Sequence, residues 1–512
     1  MTVKLDGNTL TSNEVDLVAN GERVEIAEDA WTNVKNSRQV VERILESGKT
    51  IYGINTGFGA LVNENISHGD LAQLQINLIR SHACGIGEPM SKKDTRAMMC
   101  VRANSLAKGN SGIQEAVLSQ LIDYLNYDII PVVPRIGSLG ASGDLAPLSH
   151  MALSLIGEGE VWANNGKVST IEALNENGLI PVDLAAKDGL SLINGTAQMC
   201  SFLVNSEQRL QNLLVIADLI ACTTLDARQC SIKPMDSRVH DARPHPGQIM
   251  VANRITEILQ NSEILKAHQN CDRVQDAYSF RCIPQVHGAV IQRFKQLCET
   301  LNIEINSATD NPLIFPDLSN PGDHEVISQG NFHGEVLALT ADSMSHALFE
   351  LAHISERRID QMVDPAKSEL PPFLAKNSGL ESGLMIVHYS AAAALAEMHG
   401  YTMPRSAFST PTSGGQEDHV SMGATACWNL ILATDRLADV LACELLTACE
   451  ALEYRQNESS PHVSSLYKLV RTVCSPLTED RSTSNELMII AKEISEGGWL
   501  ARIEAENGRL PR

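Results

Sequence analysis

Apolar residues recur at steps of three and four over long proline-free stretches, a pattern that predicts long amphipathic helices. The chain carries no proline from Val182 to Lys233 or from Thr412 to Ser460. In the second stretch Leu430, Ala433, Leu437, Leu441, Leu445, Ala448 and Leu452 fall on one helical face, and Asp435, Asp439 and Glu450 lie off it. A third long helix is expected from Gly334 to Arg358, where Leu337, Leu339, Met344, Leu348 and Leu351 recur at roughly helical spacing. The first third reads differently. Strand-like pieces stand at Val3–Leu5 and Val24–Ile26, and Gly53, Gly57 and Gly59 mark a loop. Alternating βαβ units are not visible, so a parallel sheet is not expected. The predicted fold class is mainly α, a long-helix bundle core with a smaller mixed α/β N-terminal portion. Residues 1–190 are read as an N-terminal domain, 191–460 as the central helical bundle and 461–512 as a C-terminal helical cover.

Composition narrows the function classes. With 40 Lys+Arg against 62 Asp+Glu among 512 residues, the formal net charge is −22. Nucleic acids and anionic membranes call for a basic face, so neither is expected as a partner. Hydrophobic residues make up 43% but aromatics only 4%, so the core must be aliphatic. Residues 1–7 show no apolar run of the secretory kind. The most apolar stretch, Leu213 to Cys222, contains Asp218 and is too short to span a bilayer. The 12 cysteines form no CxxC pair, which suits reduced thiols and a cytoplasmic protein.

Standard site patterns fail. There is no HExxH, the histidines do not cluster at a ligand spacing, and no GxxxxGK[ST] loop occurs. Gly57-Phe58-Gly59-Ala60-Leu61-Val62 lacks the last glycine of GxGxxG, and Gly140-Ala141-Ser142-Gly143-Asp144 has Asp where a nucleophile elbow needs glycine. The informative stretch is Gly137 to His150, a glycine-rich loop leading into a helix for which Asp144 is a plausible N-cap. A tight turn plus a cap is one reading. The other takes Ala141-Ser142-Gly143 as a reacting unit. The unhindered Gly143 nitrogen attacks the Ala141 carbonyl to close a five-membered ring, and loss of water, with the Ser142 hydroxyl, leaves a conjugated exocyclic methylidene. That product is an electrophile none of the twenty side chains supplies. A helix amino terminus beside it stabilises negative charge developing on the ring.

Gly140-Ala141-Ser142-Gly143-Asp144-Leu145-Ala146-Pro147-Leu148 resembles the motif of the aromatic amino acid ammonia-lyases and aminomutases, whose cofactor methylidene-imidazolone (MIO) forms autocatalytically from such a triplet. The resemblance runs through Tyr52–Gly59, Leu192–Thr196, Gln275–Cys282, Asp310–Leu313, Gly330–His333, Ser355–Arg358 and Gln416–Met422. It implies the fumarase/aspartase-like all-α superfold, an N-terminal domain bearing MIO from Ala141, Ser142 and Gly143, no external cofactor or metal, and a homotetramer with sites shared between subunits. Tyr52 matches the base that takes the β-proton of the substrate, and Arg281 the guanidinium that grips its carboxylate. Asn194 and Gln275 would orient the carboxylate and the MIO carbonyl region, Tyr278 would hydrogen-bond near the electrophile, and Phe332 would pack beside it.

The selectivity loop corresponds to Arg80-Ser81-His82-Ala83-Cys84-Gly85, and its Ser-His pair resembles the histidine ammonia-lyases, although some bacterial tyrosine lyases share it. Glu417 in Gln416-Glu417-Asp418-His419-Val420 points the same way, because tyrosine and phenylalanine enzymes usually have glutamine there. Imidazole offers a donor and an acceptor that His82 and Glu417 can satisfy. A carboxylate facing a benzene ring would instead be buried without a partner. Gly334, where histidine enzymes often have alanine, and Val387-His388-Tyr389-Ser390 depart from the histidine pattern. The expected reaction is non-oxidative deamination of L-histidine to trans-urocanate and ammonia. A tyrosine or phenylalanine lyase and an aminomutase remain the alternatives. The serine loop of fumarase-type lyases is not matched, since Met403-Pro404-Arg405-Ser406 lacks its glycine-serine start and Lys-Asn end.

Overall fold

Four helices carry most of the architecture: Ala197–Ala227 with 31 residues, Ile283–Glu304 with 22, Glu335–Val363 with 29 and Gly423–Leu452 with 30. The computed structural model describes residues 2–48, 50–51, 53–56, 66–163, 166–268, 274–317 and 324–512. Three of the four helices fall where the apolar periodicity put them. In Gly423–Leu452 the residues Leu430, Leu437, Leu441, Leu445 and Ala448 are fully buried. Leu339 departs from its expected stripe and is 54% exposed. It stands two residues after Leu337, about 200° further round the helix, so the two cannot share a face. The Ala197–Ala227 helix has the length and hydropathy of a membrane span, yet 89% of its apolar window is buried inside the protein. It is a core helix. The chain after residue 460 is also helical, over Pro461–Val473, Ser484–Glu496 and Gly498–Asn507.

Contacts group the chain into two units. The first comprises Met1–Asn205, Cys298–Asp342 and Pro404–Trp428; the second comprises Ser206–Leu297, Ser343–Met403 and Asn429–Arg512. The first unit holds the mixed α/β part. Strands Thr2–Leu5 and Arg23–Ile26 pair in parallel through the helix Ser12–Ala19, with Val3 opposite Val24 and Leu5 opposite Ile26. A parallel pair is thus present where none was expected. Its strands are four residues each and its crossover helix eight, too short to stand out as a βαβ pattern. Three antiparallel pairs follow: Ile86–Pro89 with Pro134–Ile136, Glu160–Ala163 with Gly166–Ser169, and Leu313–Pro316 with His324–Ile327. Val40, Val41, Ile44, Ile54, Leu71, Ala186 and Ile314 form an aliphatic core cluster here.

In the second unit a buried polar network ties the four long helices together. Arg358 donates from Nε and Nη2 to the two oxygens of Glu444, at 2.5 and 2.8 Å. Ser355 and Thr224 donate to the same carboxylate at 2.6 and 2.8 Å. Asp218 takes Arg254 on one oxygen and His287 on the other, both at 2.6 Å, and His287 Nε2 lies 3.3 Å from Arg358 Nη1. Desolvating two such charges is compensated only when their remaining hydrogen-bonding positions are filled, as they are around Glu444. Arg358, the last residue of the Ser355–Arg358 block, therefore serves the bundle.

Candidate active site

The loop before the Leu145–Leu155 helix is held from several sides. Gly140 and Gly143 have φ of +67° and +72°, the left-handed region that glycine enters without strain. A Cβ at Gly143 would lie 2.2 Å from the Gly195 carbonyl oxygen. That approach brings the Asp144 amide to 2.7 Å from the same oxygen. On the other side, the Gly140 carbonyl accepts from the Gly334 amide at 2.9 Å and the Ser421 hydroxyl at 3.0 Å. The Met422 amide donates to Leu139 at 2.8 Å.

Asp144 occupies the N-cap position of Leu145–Leu155, but its side chain makes no cap hydrogen bond there. Its fully buried carboxylate instead accepts the amides of Gln198 and Met199, at 2.8 and 3.0 Å, in the first turn of the Ala197–Ala227 helix. Ser138 donates to its other oxygen at 2.7 Å. The expected side-chain cap of its own helix is not made, and the carboxylate serves a different helix. Burial pushes the Asp144 carboxyl up to about 6, against the lowering effect of its hydrogen bonds from Met199, Ser138 and Gln198.

Of the triplet, Ala141 and Gly143 are buried and Ser142 half-buried. Asn194, at the C-cap of the Asp188–Ile193 helix and 1% exposed, donates from Nδ2 to the Ser142 carbonyl at 2.8 Å and to the Ser142 hydroxyl at 2.9 Å. Its Oδ1 is buried without a partner. A glycine with no room for a Cβ, a serine held at both oxygens and an orphaned amide oxygen beside them fit a ring built from Ala141, Ser142 and Gly143.

His82 and Glu417 belong to the same unit. His82 ends the Leu71–His82 helix, half-buried, with Nδ1 2.9 Å from the Ser81 hydroxyl. Burial lowers its pKa, opposed by the Leu78 backbone and by the charge of Glu417. Thr412 and Glu417 pair through their backbones, and the Thr412 hydroxyl donates to Glu417 Oε2 at 2.9 Å. Phe332 lies half-buried just before the Glu335–Val363 helix.

Gln275, Tyr278 and Arg281 belong to the second unit. Tyr278 opens the four-residue helix Tyr278–Arg281 and is 72% exposed. The Arg281 guanidinium carbon stands 4.6 Å from the centroid of its ring, a cation–π contact. Arg281 Nε is buried without a hydrogen-bond partner, and Gln275 is exposed. Tyr52 lies outside the described residues, as do Gly57 and Gly59.

A sequence profile described as "Aromatic amino acid lyase" matches residues 10–472. The chain belongs to the aromatic amino acid lyase family. Histidine ammonia-lyase of Myxococcus xanthus is 44% identical to it over 505 residues, 98% of each chain. Among solved structures, histidine ammonia-lyase from Trypanosoma cruzi matches with a TM-score of 0.91 and 36% identity, covering 99% of this lyase and 95% of that chain. Tyrosine aminomutase from Streptomyces globisporus matches with a TM-score of 0.93 and 34% identity, covering 100% of both. Lyase and aminomutase thus share one backbone, and side chains must separate them.

Several residues that support the lyase loop were not singled out from sequence. Gly195, Ser421 and Met422 stand inside the blocks that carry the resemblance, which was the available signal, but their contacts with the triplet loop are long-range. Gly195 itself has a reason to be glycine: a Cβ there would lie 2.3 Å from Nη1 of the fully buried Arg102. Gly334 is likewise closed in, since a Cβ would meet Met199 Sδ at 2.6 Å. The departure from alanine at this position goes with the methionine beside it.

Proposed function

We propose that this lyase deaminates L-histidine to trans-urocanate and ammonia. The observation that carries the substrate is that His82, half-buried at the end of its helix, and Glu417, held by the Thr412 hydroxyl, stand in the same unit, two groups suited to an imidazole and costly against a phenyl ring. The named histidine ammonia-lyases at 44% identity over nearly the whole chain support the same substrate.

The roles are those that the resemblance implies. The MIO group formed by Ala141, Ser142 and Gly143 would supply an electrophile for the substrate amine. Asn194, already donating at Ser142, holds the ring carbonyl side in place. Arg281 grips the substrate carboxylate through its planar guanidinium, with Gln275 orienting it and Tyr278 hydrogen-bonding near the electrophile. Tyr52 removes the β-proton; its ordinary pKa near 10 needs neighbouring positive charge or donors to act near neutrality. Phe332 packs beside the electrophile, and His82 and Glu417 engage the two imidazole nitrogens.

We assign the working form as a homotetramer. Leu380, Ile386, Tyr389 and Met403 leave an apolar stretch of the second unit exposed, Leu380 by 81%, which suits association between copies. Cys100, Cys200, Cys222, Cys427, Cys443 and Cys449 are buried free thiols, which suits a reducing cytoplasm.

Incubating the purified protein separately with His, Tyr and Phe, and following the unsaturated acids by absorbance, tests the assignment. Faster turnover of Tyr than of His overturns the substrate. A β-amino acid product overturns the lyase outcome in favour of amine transfer.

A further inference from the structure

His333, Glu335 and His419 bring two imidazole nitrogens and a carboxylate oxygen within 4.8 Å of one another. The two rings stack nearly parallel, with centroids 5.7 Å apart and 4° between their planes. His333 Nε2 lies 3.3 Å from the His419 carbonyl oxygen. Donation there puts the proton on Nε2 and leaves a lone pair on Nδ1, the arrangement in which a backbone carbonyl orients a metal-binding histidine. That Nδ1 lies 4.0 Å from Glu335 Oε2, and His419 Nε2 lies 3.6 Å from the same oxygen. Both separations are too long for hydrogen bonds. Glu335 Oε2 is nevertheless buried and has no hydrogen-bond partner.

With its own proton on Nδ1, His419 presents a third electron pair at Nε2 beside those of His333 Nδ1 and Glu335 Oε2, and a cation is the group that satisfies all three. Ligands of a tetrahedral zinc ion, bound at about 2.0–2.1 Å, stand about 3.4 Å apart. The two distances to Glu335 Oε2 exceed that spacing by about 0.2 and 0.6 Å and the two imidazole nitrogens lie within 4.8 Å of each other, so binding draws the ligands inward, a movement to which the exposed His419 side chain contributes most. Two imidazoles select against calcium and magnesium, which take oxygen ligands, and favour a borderline transition ion.

We propose that His333, Glu335 and His419 form a zinc-type divalent metal site with a fourth position open to water. It fastens the turn that carries Phe332 to the loop that carries Glu417. It also adjoins the triplet loop, because the Gly334 amide between two of its ligands donates to Gly140. The site does not depend on the substrate assignment.

The test is metal binding by the full-length protein after EDTA treatment and dialysis. Calorimetric titration with Zn²⁺ should give one equivalent per chain, and Co²⁺ should give the visible bands of a tetrahedral nitrogen–oxygen site without thiolate charge transfer. His419→Gln and Glu335→Gln should each weaken binding at least ~10-fold, the scale of losing a metal-site partner, while circular dichroism keeps its helical signal. Wild-type protein that binds no zinc overturns the proposal. So does binding retained in full by both variants, or a cobalt spectrum dominated by thiolate. Should one variant fail to fold, the wild-type stoichiometry, the cobalt spectrum and the other variant decide.

Discussion

Asn194 holds Ser142 at two atoms, its Nδ2 lying 2.8 Å from the carbonyl oxygen and 2.9 Å from the hydroxyl. One amide nitrogen has two hydrogens, so both bonds form at once, and they fix the residue whose hydroxyl would leave in the proposed ring formation. Freshly folded wild-type protein should weigh less than its sequence by two water molecules. Asn194→Ala should show an unprocessed fraction by intact mass and lose on the order of 10²-fold in turnover, the scale of 1–3 kcal/mol for each unsatisfied buried group. Ser142→Ala should show the full unprocessed mass and at least ~10³-fold less activity with its helices intact. A fully active Ser142→Ala protein rules out the electrophile.

Gly143→Ala places a methyl group 2.2 Å from the Gly195 oxygen on a backbone with φ of +72°. The loop must move. We expect a loss on the order of 2–3 kcal/mol in denaturant unfolding together with failed ring formation. Retention of wild-type stability and mass would mean that the Gly143–Gly195 contact does not constrain the loop.

Glu417→Gln removes a carboxylate one oxygen of which is already held by Thr412. Histidine kcat/KM should fall by roughly 10²–10³-fold, the scale of truncating a buried charge contact, while the inhibition constant of a phenyl analogue changes little. Equal losses for both would count against contact with the imidazole.

Asp144 gives the protein a pH dependence of known sign. Its carboxyl takes a proton at about 6 when folded, against an ordinary value of 3.8. Between those values the folded state holds more protons, so this group's contribution to stability falls as pH rises and levels off above about 6. Two units correspond to roughly 3 kcal/mol. Denaturant titrations of wild type and Asp144→Asn from about pH 4 to 7 should diverge by that order, with wild type losing ground as pH rises. A constant difference would contradict the assigned burial effect.

Glu444→Gln leaves Arg358, whose side chain is fully buried, without its counter-charge. The expected cost is about 3–5 kcal/mol. Pairing it with Arg358→Met should recover part of that loss in the same unfolding assay. An additive double variant would show that the pair is not coupled.

The long helices were legible because their cause is local: the period of the apolar residues sets both helicity and the buried face. The stripe along Gly423–Leu452 was readable for that reason. Leu339 falls off the stripe because a step of two residues turns it about 200° from Leu337, and the parallel pair of Thr2–Leu5 with Arg23–Ile26 is hidden in the sequence because strands of four residues carry little periodic signal. The triplet was legible through its motif, because the pattern alone also allowed a tight turn with a cap and only the resemblance of the Gly140–Leu148 stretch favoured a reacting unit.

Sequence alone determined the helical class, the aliphatic core, the reacting triplet and, through matching blocks, the residue types around it. The tertiary structure decided which helix Asp144 caps, which glycine lies against Gly143, and that His333 and Glu335 face a histidine 86 residues further on. The reason is physical. Periodicity and backbone preference act between neighbours in the chain, whereas hydrogen bonds and charges act between neighbours in space, and only folding converts distance along the one into contact in the other.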